Sequence, residues 1–146
     1  MNIKEYLSQS YRLDRKIESR ILELKTLKDM AVSISSVNYE NEKVQTSRKT
    51  EPHFIKSLEK IDELSRQIDE EVKVLVNLKK QIRETITKVI NTDEKMVLTY
   101  RYLHNYTWEK IGYVLHADSR TVRRWHTLAL EHCKIPESPI NILNMP

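Results

Sequence analysis

The sequence has 146 residues, enough for one domain or two small units, and it contains only one glycine and four prolines. With 32% charged and 39% hydrophobic residues, this composition predicts long helices and an all-α fold. A net charge of +4 is compatible with nucleic-acid binding without requiring it. The single cysteine excludes an intramolecular disulfide, and no apolar run reaches the roughly 20 residues of a membrane span. The polar N-terminus does not resemble a secretory signal, so we expect a soluble cytoplasmic protein without a membrane partner.

Two long amphipathic helices are predicted over residues 3–31 and 52–90, separated by a polar loop over 32–50. Thr50 is expected to cap the second helix. Apolar residues in both helices recur at steps of three and four, although polar Ser65 and Lys79 fall on the second stripe. The first stripe consists of Ile3, Tyr6, Leu7, Leu13, Ile17, Ile21, Leu24, Leu27 and Ala31, and the second of Phe54, Leu58, Ile61, Ile68, Val72, Leu75, Ile82, Ile86 and Val89.

Helices of this length need to bury their apolar faces. Two arrangements over residues 1–91 achieve this: an antiparallel hairpin, or a coiled coil that a second chain completes. The stripes then serve either as a plain scaffold or as a surface that binds a partner. Both interpretations are compatible with a homodimer through the long helices, which we take as the expected oligomer.

Residues 92–134 show a different pattern, that of three short helices followed by an irregular tail over 135–146. The first is expected over 93–104, the second begins after Thr107, and the third runs to about Cys133. Each has a residue at its start whose side chain accepts a hydrogen bond from the backbone. These caps are Asn91 or Thr92, then Thr107, then Asp118, and the intervening turns are Asn105-Tyr106 and His116-Ala117.

The last two of these helices have the spacing of a helix-turn-helix. Gly112 is the only glycine, and a glycine inside a helix costs about 1 kcal/mol relative to alanine, so we expect a close approach of the next helix there. His116 takes a turn position that glycine often fills, and this predicts a left-handed backbone. Leu128 and Ala129 are expected to face inward. The predicted core of the motif is Trp108, Ile111, Gly112, Leu115, Ala117, Val122 and Trp125.

The outward face of the last helix carries the groups that suit DNA. Arginine reads guanine edges or binds phosphate, serine and threonine hydroxyls do either, and the start of a helix favours phosphate. The alternative is that these arginines form an ordinary solvated surface. The residues predicted to contact DNA are Ser119, Arg120, Thr121, Arg123 and Arg124, together with Thr107 at the start of the preceding helix.

Residues 92–130 resemble the region-4 helix-turn-helix of sigma factors, through Thr107-Trp108-Glu109-Lys110-Ile111-Gly112, Val114-Leu115 and Arg120-Thr121-Val122-Arg123-Arg124. The whole chain, apart from 32–50 and the tail, resembles the small phage-encoded transcriptional regulators of the ArpU/RinA type. The resemblance includes the opening segment from Lys4 to Asp14 and Arg101-Tyr102-Leu103 before the motif. It implies a phage or prophage origin, a bacterial host cell and activation of late genes.

Other kinds of site have weaker support. His126, His132 and Cys133 lack the paired spacing of a zinc site, and one glycine does not make a phosphate-binding loop. Nothing resembles a catalytic nucleophile with its base. We therefore predict a non-enzyme without cofactor or metal. The tail is expected to pack on the core; the alternative is contact with a partner such as RNA polymerase.

Three functions remain open from the sequence. The favoured one is a sequence-specific regulator that binds double-stranded DNA as a dimer. A DNA-packaging recognition subunit like a small terminase would also join a helix-turn-helix to oligomerising helices, but in a larger ring. A helical protein-interaction module without DNA binding would fit the modest overall charge.

Overall fold

The computed structural model describes residues 1–40, 47–143 and 145, and their side chains outside 34–52. The fold is all-α, as predicted, and the described residues contain no strand. None of the described helices has an apolar stretch long enough to cross a bilayer. The elements are α1 (Ile3–Glu40), α2 (Ser47–Thr87), α3 (Thr92–Leu98), α4 (Trp108–Leu115) and α5 (Ser119–His132), and a π-helical segment (Thr99–Leu103) continues α3.

The predicted loop over 32–50 is wrong at both ends. Helix α1 continues through residue 40, and α2 begins at Ser47, so Thr50 lies inside α2 and not at its cap. The part of this prediction that falls on 41–46 lies outside the described residues. Serine, asparagine and valine cost only a few tenths of a kcal/mol each in a helix, and 32–46 has neither glycine nor proline to stop it.

A seven-residue repeat of inward-facing positions runs along both long helices, and Leu7, Gln9 and Ile86 are buried in addition to it. In α1 the repeat runs through Tyr6, Ser10, Leu13, Ile17, Arg20, Leu24, Leu27 and Ala31, all of them buried or half-buried. In α2 it runs through Phe54, Ser57, Ile61, Leu64, Ile68, Glu71, Leu75, Leu78, Ile82 and Thr85, and its next position, Val89, lies just beyond the end of the helix. Steps of three and four that alternate without exception are the pattern of coiled-coil helices.

This repeat corrects three members of the predicted stripes. Ile21, Leu58 and Val72 are 50%, 46% and 39% exposed. The sequence stripe passed from one apolar residue to the next and so avoided polar positions. The true repeat accepts polar residues where they find partners, and in α2 it passes through Leu64 and Leu78, not through the neighbouring Ser65 and Lys79.

The chain packs as two units. One consists of Met1–Asp14 with Val74–Pro146, and the other is Arg15–Lys73. Both long helices contribute to each unit, and the boundary predicted at 91/92 falls inside the first of them.

Within the unit Arg15–Lys73, α1 and α2 run antiparallel. Arg20 contacts Glu71 and Gln67, whereas Leu27, further along α1, lines a cavity with Leu64, which comes earlier in α2. Glu71 occupies a repeat position and is only 5% exposed. Its Oε1 lies 2.8 Å from Arg20 Nε and 3.9 Å from Lys16 Nζ. A buried carboxylate needs such cations, and removing one partner of a buried pair strongly destabilises a protein.

The unit Met1–Asp14 with Val74–Pro146 has a core built from five parts of the chain. Start and end of the sequence both contribute, so the expectation that the tail packs on the core is confirmed. The buried members of this core are Tyr6, Leu7, Leu78, Ile82, Ile86, Val89, Leu98, Tyr102, Leu103, Ala129 and Cys133, and Ile3, Leu130, Ile140 and Ile142 pack against them.

Candidate nucleic-acid interface

Helix α4, a short turn and α5 form the predicted helix-turn-helix, and its three caps are observed. The Asn91 side chain accepts from Glu94 N at 3.1 Å, so Asn91, not Thr92, caps α3. Thr107 Oγ1 accepts from Lys110 N at 3.2 Å at the start of α4. Asp118 Oδ1 accepts from Thr121 N at 2.7 Å at the start of α5. Each cap fixes the direction of its helix at the first turn.

The turn between α4 and α5 has the predicted left-handed backbone. His116 has φ 55° and ψ 44°, and the next amide, Ala117 N, donates to Gly112 O at 2.9 Å. A Cβ on Gly112 would lie 2.6 Å from the backbone oxygen of Ala117. The close approach that requires glycine is therefore to the turn, and not to α5 as predicted. The missing side chain of Gly112 lets the backbone of the turn pack directly against α4.

The predicted core residues of the motif lie in one cluster. Ile111 and Val122 are completely buried, together with Val97 from α3. Leu128 is wrong as an inward position, because it is 38% exposed and the buried face of α5 passes through His126 instead. Partly buried around the cluster are Trp108, Leu115, Ala117 and Trp125, with Tyr100 and Tyr106, which the sequence analysis did not single out.

His126 has a buried polar partner. Its Nε2 lies 2.6 Å from the Tyr102 hydroxyl, and its ring meets Trp108 edge to face at 4.7 Å between centroids. Burial lowers the pKa of His126 to about 4, helped by Lys4 and Arg101. Burial also raises the pKa of Tyr102 to about 12. Both groups are neutral at pH 7, and the hydrogen bond between them ties α5 to the π-helical segment.

The π-helical segment is in turn held by α1. The Tyr102 carbonyl lies in the last turn of the segment, where no helical amide follows, and it accepts from Ser10 Oγ at 2.8 Å. Asn105, which follows with φ 58°, donates from Nδ2 to Asp14 Oδ2 at 2.9 Å, and Lys79 lies 3.3 Å from the same oxygen. These contacts fix the chain just before α4 begins.

The predicted DNA-contacting residues lie on the surface of α5 and at the start of α4. All are exposed except Thr121, which is half-buried. Arg120 and Arg124 act on Asp118, whose pKa lies below its usual value chiefly because of hydrogen bonds from Thr121. Among the described residues, no carboxylate forms a direct ion pair with Arg120, Arg123 or Arg124. Their guanidinium groups thus keep their donors for another partner.

Two further cations adjoin this surface and were not predicted. Arg101 stacks over the Trp108 ring at 4.3 Å and donates to Tyr106 O at 2.9 Å. Lys110 Nζ lies 4.0 Å from the Tyr106 ring centroid. The guanidinium of Arg123 lies 6.0 Å from the Trp108 ring, so this indole connects Arg101 with α5. Aromatic residues alternating with cations between 100 and 110 were the sequence signal.

His132 and Cys133 are engaged differently from metal ligands. His132 Nδ1 lies 2.9 and 3.1 Å from the two carboxylate oxygens of Glu94, and this hydrogen bond raises the pKa of His132. Burial raises the pKa of the Cys133 thiol to about 11. Nowhere in the described part of the chain do three histidine, cysteine or carboxylate side chains come together as metal ligands would.

A family model described as "protein of unknown function (DUF722)" matches residues 2–134, and the chain belongs to this family. No curated protein and no solved structure matches the chain significantly.

Proposed function

We propose that the protein is a sequence-specific transcription regulator that binds double-stranded DNA through α4 and α5. Helix α5 would enter the major groove and read base edges through Arg120, Arg123 and Arg124, while Ser119 and Thr121 contact the backbone or bases. Thr107, at the capped start of α4, would face a phosphate. The resemblance to phage regulators supports activation of late genes in a bacterial host cell.

One observation carries this proposal: an unpaired cationic surface extends from α5 to the start of α4. Arg123 and Arg101 share the Trp108 ring, and Lys110 lies over the adjacent Tyr106. Stacking restricts these long side chains before any ligand binds, which lowers the entropy lost on binding. Phosphates along a DNA strand are the ligand that such a row of cations fits.

Self-association completes the proposed function. A regulator of this type reads two half-sites, which requires two copies of the motif related by symmetry. The repeat positions of α1 and α2 already pack against each other within one chain, so a homodimer would form through the exposed faces of this helix pair.

The test is binding to fragments of the source genome, measured by fluorescence anisotropy at several salt concentrations. We expect one fragment to bind tightly, and Arg120→Ala/Arg123→Ala/Arg124→Ala to weaken its binding by about 100-fold or more. The slope of log K against log salt should become shallower by up to about three. Arg101→Ala should weaken binding to all fragments alike, as a phosphate contact does.

The matched control is Lys56→Ala/Lys73→Ala/Lys80→Ala, which removes the same charge from exposed positions of α2. Circular dichroism verifies that each variant remains helical. If the control weakens binding as much as the arginine variant, the effect is net charge and not an interface on α5. If wild type binds no fragment above the non-specific level, the proposal fails.

A further inference from the structure

The two edges of the helix pair in the unit Arg15–Lys73 differ in character. Along one edge lie the residues that precede repeat positions, including Lys16 beside Glu71 and the side chains of Glu23, Lys60 and Gln67, which line a cavity. That edge is charged and polar. Eleven residues that follow repeat positions form the opposite edge, and five of them are apolar, against Met30 alone on the first edge.

The exposed apolar side chains of this second edge are Ile21, Val32, Ile55, Leu58 and Val72, and we call these five residues the apolar edge. These side chains are 50%, 66%, 54%, 46% and 39% exposed, in that order. Ile21 and Val32 come from α1, and the other three come from α2. They form two patches, Ile21 with Val72 and Val32 with Ile55 and Leu58, and water solvates such exposed branched aliphatic side chains poorly.

Charged side chains lie between the two apolar patches. On α1 they are basic, Lys25 and Lys28, and on α2 they are acidic, Asp62 and Asp69. All four side chains are exposed. Along this stretch each helix presents one sign of charge, since the acidic Glu18 lies beyond Ile21 and pairs with Arg15 of its own helix. Such a surface favours a partner with the opposite order.

The levels of these charges follow from the antiparallel pair. Arg20 and Glu71 are in contact and so lie at one level. With a rise of 1.5 Å per residue, Lys28 lies about 12 Å beyond Arg20, and Asp62 lies about 13.5 Å from Glu71 in the same direction. A two-fold axis parallel to the helices keeps every level and sets α1 of one copy against α2 of the other. Lys28 of each copy then faces Asp62 of its partner. A two-fold axis perpendicular to the helices would instead set α1 against α1 and lysine against lysine.

We propose that the apolar edge is the surface on which a second copy of this chain packs, giving a four-helix bundle whose two-fold axis runs along the helices. This inference rests on the self-association in the proposed function and specifies its surface and symmetry. Apolar side chains of the two copies pack together in both patches, and Lys25 and Lys28 lie between the patches, with Lys28 opposite Asp62 of the other copy.

The first experiment measures the molar mass of the full chain by light scattering over a range of concentrations, without DNA. We expect wild type at twice the chain mass of 17.4 kDa, and Ile21→Glu/Val72→Glu at the monomer mass. The matched control is Leu22→Glu, because Leu22 is next to Ile21 and 66% exposed but lies off the apolar edge. This control should remain dimeric. Circular dichroism verifies helix content in all three.

The second experiment tests the axis by charge reversal. Lys28→Glu and Asp62→Lys should each raise the dimer dissociation constant about tenfold, because each reversal creates two repulsive pairs in a symmetric interface. The combined variant should restore the wild-type constant. Asp62 also pairs with Arg66 in its own helix at 3.4 Å, so restoration is the decisive result.

Several outcomes would overturn the inference. If Ile21→Glu/Val72→Glu stays dimeric, or Leu22→Glu dissociates equally, the second copy binds elsewhere. If the charge reversals do not compensate each other, the axis is wrong. A wild type that is monomeric throughout removes the self-association itself. DNA binding by the arginine surface is measured separately, so its failure leaves these masses unchanged.

Discussion

At the scale of single residues, His126 is the buried group that responds most directly to pH. It is 7% exposed, and its Nε2 is hydrogen-bonded to the Tyr102 hydroxyl. Protonation would place a charge in this buried site beside Trp108, where water does not solvate it. The folded state therefore holds His126 neutral, and the unfolded chain does not.

Acid should thus destabilise the fold through this residue. Because the pKa of His126 is lowered to about 4, only the unfolded chain binds its proton between pH 6.5 and 4. The stabilisation is complete above pH 6.5 and is lost as pH falls, by about 3 kcal/mol at pH 4. Urea unfolding across this pH window measures the free energy of unfolding of wild type and of His126→Gln. The advantage of wild type should shrink toward pH 4.

His104→Gln, which alters an exposed histidine, serves as the control and should parallel wild type at every pH. A constant difference between wild type and His126→Gln would contradict the neutral buried state. Glu94 raises the pKa of His132. The contribution of this pair to the free energy of unfolding is therefore lost as pH rises above 6.5, outside this window.

The sequence predicted the site residues that bond to backbone close by in the chain. It did not predict side-chain hydrogen bonds between residues far apart in the chain. Thr107, Asp118 and His116 act on backbone groups within a few positions of themselves, so the sequence around each contains what determines its role. The bond from Tyr102 to His126 joins residues 24 positions apart. The sequence near His126 contains no trace of it beyond a position on the buried face of α5.

At the scale of elements, the turn between α4 and α5 depends on Gly112. Alanine there would gain up to about 1 kcal/mol of helix propensity. Its Cβ, however, would lie 2.6 Å from Ala117 O, and backbone held by two capped helices has little freedom to move away. We expect Gly112→Ala to lower the free energy of unfolding by about 1–3 kcal/mol net, measured by urea denaturation.

Tyr113→Ala is the control for this substitution, since Tyr113 lies in the same helix and is 83% exposed. It should change stability by less than about 0.5 kcal/mol. A Gly112→Ala variant as stable as wild type would mean that the turn relaxes, and that glycine has no steric role in it.

The long helices show how far periodicity alone predicts burial. It identified the two helices and most of their inner positions, but it rejected Glu71 and Arg20 because they are charged. These two residues occupy repeat positions since each neutralises the other. The seven-residue spacing, followed regardless of residue type, would have found them and would have left Ile21 and Val72 outside.

At the scale of the whole molecule, the end of the sequence is bound to its start within one unit. The side chains of two glutamines form hydrogen bonds with the backbone of the tail. Gln9 donates to Ile140 O and accepts from Ile142 N, both at 2.9 Å. Gln81 donates to Ser138 O at 3.0 Å and accepts from Ile140 N at 2.9 Å. Contacts across more than 130 positions have no local sequence signal, so only packing of the tail was predicted and not its mode.

Removal of residues 137–146 should therefore lower the free energy of unfolding far more than removal of an unattached tail would. It leaves the amide of Gln9, which is 3% exposed, without its tail partners and uncovers the apolar core beneath Ile140 and Ile142. We expect a loss of about 3–5 kcal/mol from unsatisfied amides and exposed apolar area. Gln9→Ala should cost about 1–2 kcal/mol in the full chain and much less in the truncated one, because its tail partners are already gone. Additive costs in this double-mutant cycle, measured by urea unfolding, would show that the glutamine and the tail stabilise the fold independently.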